Sequence, residues 1–264
     1  MLIDTHCHLD ALEFAPDRAD VMARAHAAGV ETLVVPAITA ATFAETVNIA
    51  RQFDCLFALG MHPAYLYEHQ DHHLVLLREW VERELPVAIG EIGLDFFVSG
   101  LDPVRQMSLF IEQLKIARDF DLPVLLHVRR SQDQVLKALR QIGVKGGIAH
   151  AFNGSRQQAD AFIKLGFKLG FGGAMTYPRA LNIRRLATEL PLEAIVLETD
   201  APDMSPEWIS KQRNEPGELP RIAAMLAGLR NMTVDEVVVA TGINAGAILN
   251  FHTFKTVART VQSK

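Results

Sequence analysis

Eight short apolar runs alternate along the chain with segments whose apolar positions recur every three or four residues. The runs cover residues 2–6, 32–37 (TLVVPA), 56–61 (LFALGM), 87–92 (VAIGEI), 123–128 (PVLLHV), 147–151 (GIAHA), 167–171 and 194–199 (AIVLET). Short apolar runs between helical segments read as strands buried on both faces. The helical pattern covers 17–28, 39–53, 72–84, 102–120, 131–142, 155–165 and 182–190, with Leu74, Leu77 and Val81 typical of its spacing. Termination signals agree: Gly29 and Gly166 close two helices, Asp102 and Pro103 open another, and Ser131 and Thr39 or Thr42 are candidate caps.

Alternating strand and helix units imply a parallel sheet, and eight of them predict closure into a (β/α)8 TIM-type barrel. An open, doubly wound α/β sheet is the alternative, because periodicity does not itself prove closure. Residues 1–264 read as one domain. After the eighth run, residues 201–220 form a Pro-rich polar connection of the length seen in functional lids. Two extra C-terminal helices follow over 218–230 and 233–249, the second opened by a Thr233–Glu236 capping box.

Composition narrows the function classes. With 49% hydrophobic and 22% charged residues, the chain has the balance of a soluble globular protein. A formal charge of −5 excludes a protein that coats nucleic acid along its length, which needs a broad basic surface. It leaves room for an enzyme that takes one strand end in a pocket. Two cysteines, Cys7 and Cys55, provide no disulfide framework and fit a reducing compartment. No signal peptide and no membrane span are apparent, so the expected location is cytoplasmic, with no membrane association and no obligate protein partner.

The candidate chemistry lies where the predicted strands end. In MLIDTHCHLD, alternation puts Asp4, His6 and His8 on one face and Thr5 and Cys7 on the other. Two imidazoles one pleat apart can reach the same ion. Glu91 ends the fourth run, His127 the fifth, His150 the sixth, and Asp200 follows the eighth. In a closed barrel these converge on the C-terminal face, where active sites of that architecture sit. Four histidines and two carboxylates exceed the needs of one tetrahedral ion and suit two ions with a carboxylate between them. The mixed nitrogen and oxygen donors favour Zn, Mn or Fe(II) over Ca, with Mg allowed where substrate and water complete the shell.

The stretches DTHCHLD, GMHP, GEIGLD, LHVR, HAFNG, ETDAP and RNEP, running in order from residue 4 to 216, resemble the signature series of the TatD family of metal-dependent deoxyribonucleases. The resemblance implies a (β/α)8 barrel and two divalent metal ions. It implies that His6, His8, Glu91 and Asp200 surround one ion and that Glu91, His127 and His150 surround the other. It also implies that Glu91 bridges them and that Asp200 is the base for an attacking water. Departures are confined to the surroundings. Ala151 and Asn153 stand where the family has Cys and Ser, Asp203-Met204 replace Tyr-Leu, PEWISKQ extends that loop, and NAGAIL keeps Asn244 without the usual Arg.

The expected activity is therefore phosphodiester hydrolysis by a metal-activated water, with a DNA strand end as substrate. The alternatives are a small-molecule hydrolase acting on an amide, ester or lactone, and a non-catalytic metal-binding barrel. Arg129 is a candidate for binding phosphate through two parallel bonds, or for a salt bridge to a loop carboxylate. Arg213 is a second phosphate candidate, or a solvated loop charge. His62 is a candidate contact to substrate or leaving group, or a strand-end residue fixed by Pro63. Phe96, Phe97, Tyr177 and Trp208 fall in mouth loops, as base-stacking platforms or as packing. Asp4 and Glu198 are expected to support the ligands rather than join them, and Cys7 to pack.

Overall fold

The computed structural model describes residues 1–250, so the one-domain expectation for 1–264 extends past the described residues. Eight parallel strands follow one another in sequence order: β1 (Leu2–Asp4), β2 (Val30–Pro36), β3 (Leu56–Leu59), β4 (Ala88–Asp95), β5 (Val124–Arg129), β6 (Gly147–Ala149), β7 (Phe167–Phe171) and β8 (Ile195–Leu197). Seven helices lie between them: α1 (Arg18–Ala27), α2 (Phe43–Gln52), α3 (His72–Glu84), α4 (Pro103–Asp119), α5 (Gln132–Ile142), α6 (Arg156–Lys164) and α7 (Leu181–Glu189). Two further helices, α8 (Leu219–Arg230) and α9 (Val234–Ile248), complete the described chain. The architecture is a (β/α)8 TIM barrel.

The ladder runs from β1 to β8, and the seam between those two is closed by backbone bonds just beyond both strands. Thr5 N–H donates to Leu197 O at 3.1 Å, Asp200 N–H to His6 O at 2.8 Å, and His8 N–H to Ala201 O at 2.8 Å. Three candidate ligands therefore sit on the closure itself.

The core has two layers. Inside the barrel, Ile3, Val34, Ala58, Ala88, Leu125, Ile148 and Val196 pack together, and Ala245 of α9 and Leu249 just after it join the same cluster. Outside, larger side chains such as Phe43, Phe110, Phe162 and Leu226 fill the space between strands and helices. The α9 helix is fixed to the barrel by Asn244, whose amide donates to Leu192 O and Ile195 O at 2.8 Å each. Its Gly242 lies so close to the Met1 carbonyl that a Cβ would collide with it.

Side-chain caps open three of the nine described helices. Asp102 accepts from Val104 N–H at 2.8 Å, and Ser155 and Thr233 both form capping boxes. Ser131 does not cap α5 as its position suggests: its buried hydroxyl donates instead to Leu94 O at 2.7 Å, tying β4 to the turn after β5. Most strand ends shift by one or two residues from expectation, and three of the shifts bear on the site. β1 stops at Asp4 and β8 at Leu197, where the seam bonds replace a regular ladder. β4 continues through residues 93–95, expected as loop, because Gly93, Leu94 and Asp95 pair with His127, Val128 and Arg129. The 39–53 segment begins with a separate turn at Ala40–Thr42, and 201–220 holds two single turns, Glu207–Ile209 and Pro216–Glu218.

Candidate metal centre

Glu91 is the hub of the C-terminal face. It lies within β4, 1% exposed, and its two carboxylate oxygens face different sets of imidazoles. Oε2 lies 3.0 Å from His6 Nε2 and 3.6 Å from His8 Nε2. Oε1 lies 3.3 Å from His62 Nε2, 3.1 Å from His127 Nδ1 and 3.0 Å from His150 Nε2. Asp200 Oδ1 completes the first side, 3.8 Å from His6 Nε2 and 3.7 Å from His8 Nε2.

The strands place these groups from around the barrel. His6 and His8 follow β1, His62 follows β3, His127 lies in β5, His150 follows β6, and Asp200 follows β8. Asp200 adopts a left-handed backbone, φ +56°, an uncommon state for a non-glycine residue and one that clusters at functional sites. The bond from its N–H to His6 O holds that turn.

Five imidazoles around one buried carboxylate need positive charge to balance the donors and acceptors. His127 makes the point most clearly: Nδ1 faces Glu91 Oε1 while Nε2 lies 3.0 Å from Asp95 Oδ2. A neutral imidazole has one N–H, so it cannot donate to both carboxylates. Either a proton or a cation must fill the role. Burial disfavours protonated imidazole at His6, whose pKa falls to about 3, with nearby His150 adding to the fall. The His6 and His150 rings stack at 4.0 Å, and the balance of effects at His150 is the opposite. There burial opposes the charge, but Glu91, Asp200 and Glu198 outweigh it and lift the pKa to about 10. Glu91 is itself held far below the usual carboxylate range by these histidines, against the effect of burial. Such a cluster of imidazoles and carboxylates fits divalent cations of the Zn, Mn and Fe(II) type. Three ligand trios lie close enough to share an ion: His6, Glu91 and His150; His6, His8 and Asp200; and His62, Glu91 and His127.

Supporting residues surround the cluster. Asp4, fully buried, accepts from Thr199 N–H at 2.9 Å and Thr199 Oγ at 2.5 Å, which joins the start of the chain to the strand end that carries Asp200. Burial raises Asp4 to about 7 and Glu198 to about 8. Glu198 accepts from Ala151 N–H at 2.5 Å, and its Oε1 lies 3.8 Å from His150 Nδ1. It occupies space that a side chain at Gly170 would take. Asn214 of RNEP, fully buried, donates to Thr199 O and Asp203 O at 2.9 Å each, and so shapes the same strand end.

All six expected ligands come together here, but their neighbours differ from the expected grouping. His62 reaches Glu91 at 3.3 Å and shares a trio with it and His127, and Asp95 is an additional partner of His127. Asp95 lies in the GEIGLD stretch at even spacing from Glu91, so a longer β4 would have placed it on the same face. Arg129 lies at the rim, 3.9 Å from Asp95 Oδ2 and 3.8 Å above the Phe97 ring. Arg213 points its guanidinium elsewhere: it pairs with Asp17 at 2.6 Å and donates to Glu13 O at 2.7 Å, fastening the long loop to the start of α1. Trp208 donates to Glu218 Oε2 at 2.6 Å, and Cys7 is buried in the outer core. Among the described residues no helix is long and apolar enough to cross a membrane.

Comparison with known proteins places these features in context. A family model described as TatD related DNase matches residues 3–250. The chain is 43% identical over 254 residues to the uncharacterized metal-dependent hydrolase YjjV of Escherichia coli K12, covering 94% of this chain and 97% of that protein. It is 33% identical to the 3'-5' ssDNA/RNA exonuclease TatD of Erwinia amylovora, covering 94% of this chain and 99% of that one. The crystal structure of Escherichia coli YjjV, a TatD homologue, superposes with a TM-score of 0.91 at 41% identity, over 94% of this chain and 98% of that one.

Proposed function

The chain belongs to the TatD related DNase family of metal-dependent hydrolases, and from that premise we propose that it trims single-stranded DNA from an end by phosphodiester hydrolysis. The observation that carries the reading is the division of the Glu91 carboxylate, one oxygen toward His6 and His8 and the other toward His62, His127 and His150. That is the arrangement a bridging ligand between two cations requires. His6, His8, Glu91 and Asp200 would hold one divalent ion, and Glu91, His127 and His150 the other. Bound there, a divalent pair acidifies a water molecule and offsets the charge that develops on phosphoryl oxygens.

The protein's own groups do the rest. Asp200 accepts the proton of the attacking water. Its Oδ1 lies 3.8 Å from His6 Nε2 and 3.7 Å from His8 Nε2, beside the groups that would hold that water, and position decides a general base before pKa does. Asp95 and Glu198 orient His127 and His150. Arg129 stands at the rim to receive a phosphate, its planar guanidinium suited to two parallel bonds. His62 sits deep enough to bond a substrate oxygen or to serve the second ion. Arg213 contributes indirectly by holding the loop that Asn214 anchors. The relative from Erwinia amylovora, described as a 3'-5' ssDNA/RNA exonuclease, supports a nucleic acid strand as substrate. Two free cysteines, one of them buried, suit a cytoplasmic setting.

The test is to load the protein with Mn or Mg, supply end-labelled single-stranded DNA, and follow its length. Metal-dependent, stepwise shortening is expected, reduced by about 100-fold or more in Asp200→Asn, a loss typical of a missing proton acceptor. No shortening, with hydrolysis of small esters or lactones instead, would establish the small-molecule reading.

A further inference from the structure

A recess opens on the same face of the barrel, where the segment after β7 meets the loop after β8. It is a shallow, open recess of about 490 Å³, and its lining includes Ala174, Tyr177, Arg179, Ile183, Met204 and Lys211. None of these is a candidate metal ligand, and the lining contains no His, Cys, Asp or Glu. It therefore offers binding rather than acid–base or nucleophilic chemistry. We propose that this recess is a subsite for one nucleotide unit of the substrate strand, with the base against Tyr177, Ile183 and Met204 and a backbone phosphate between Arg179 and Lys211.

Position links the recess to the reaction. Met204 is four residues beyond Asp200, and Ala174 is three beyond the end of β7. The two segments touch: Gly173 packs against the Met204 carbonyl so closely that a Cβ would collide with it. Tyr177 OH donates to Ser205 O at 3.0 Å, which fixes the ring across both segments. A chain molecule lying over the barrel mouth can thus reach the metal ligands and the recess together.

Chemistry identifies the occupant. A volume of about 490 Å³ lies within the range of pockets for small organic groups. An apolar wall with one fixed aromatic ring selects a flat ring, and base stacking on aromatic side chains tolerates any sequence. Two cations in the lining select an anion. Neighbouring Arg213 and Arg221 are taken up by Asp17 and Glu218, whereas Arg179 and Lys211 enter no ion pair among the described residues. Asp203 and Glu207, the acidic residues of the adjoining loop, do not line the recess. A flat ring joined to one anionic centre is a nucleotide unit. Met204 and Lys211 also lie in the stretch where this chain departs from the family pattern, so the recess is a feature of this chain's own loop.

The inference rests on the nucleolytic reading, and the test separates the two. The metal-loaded full chain is titrated into a fluorescent, cleavage-resistant phosphorothioate hexanucleotide, and affinity is read by anisotropy at several salt concentrations. The Arg179→Ala/Lys211→Ala variant, checked for unchanged melting temperature and metal content, is expected to bind about tenfold more weakly or worse. Its affinity is also expected to depend less steeply on salt, because fewer phosphate contacts release fewer counterions. Equal affinity and equal salt slope in a wild type that binds and shortens DNA would overturn the subsite alone. A wild type that neither binds the hexanucleotide nor shortens DNA would overturn the subsite and the nucleolytic reading together.

Discussion

Asp95 shows how a single residue can organise its neighbours without joining them. Its carboxylate receives Phe97 N–H at 2.8 Å and Val98 N–H at 3.0 Å, and it holds His127 Nε2 at 3.0 Å. Burial opposes its charge, but the His127 bond and these two backbone donors outweigh that and hold its pKa at about 2. A carboxylate depressed below its unfolded value contributes stability that is full above pH about 4 and is lost as pH falls through about 2. In metal-free protein, Asp95→Asn is therefore expected to be less stable than wild type at pH 5, with the difference narrowing toward pH 2 in urea titrations. The same substitution frees the His127 ring, and metal affinity measured by competition with a chelator should fall about 10- to 100-fold. Asp95 could be quoted from the sequence but not placed, because GEIGLD reads as a strand that ends at Ile92. Only the pairing of residues 93–95 with 127–129 carries it onto the side that faces the imidazole cluster.

At the level of elements, the strands were legible because each is a short apolar run with a helical pattern on either side. Their ends were less so. The sequence does not show that β1 and β8 finish early and that backbone bonds from Thr5, His8 and Asp200 close the seam. Nor does it show that Ser131, placed like a cap, uses its hydroxyl on β4. The caps that were legible are those where both partners lie within four residues. Thr233 is the clearest: Glu236 N–H donates to its hydroxyl at 3.2 Å, and Thr233 N–H donates to Glu236 Oε2 at 2.9 Å. Since α9 and the residue that follows it pack Ala245 and Leu249 into the inner core, this cap supports the barrel as well as the helix. Thr233→Ala is expected to cost about 1 kcal/mol. That corresponds to a fall of roughly 2–4 °C in melting temperature for a chain of this size, with activity per folded molecule unchanged.

For the whole molecule, closure of the barrel turns scattered sequence positions into one site. Residues from 6 to 200 meet at Glu91 because every strand delivers its C-terminal end to the same face. That the six candidate positions converge was legible for that reason: strand ends are visible in the pattern, and a parallel barrel superimposes them. What the pattern could not give was the fine pairing, in which His62 enters the cluster and Arg213 turns away to Asp17, since both depend on loop conformation rather than strand register. The central claim is that Glu91 lies between two divalent ions. Anomalous diffraction from crystals grown with Mn tests it most directly. Two peaks per chain are predicted, one among His6, His8 and Asp200 and one among His127 and His150, with a Glu91 oxygen on each. A single peak, or none with Glu91 still surrounded by histidines alone, would contradict it.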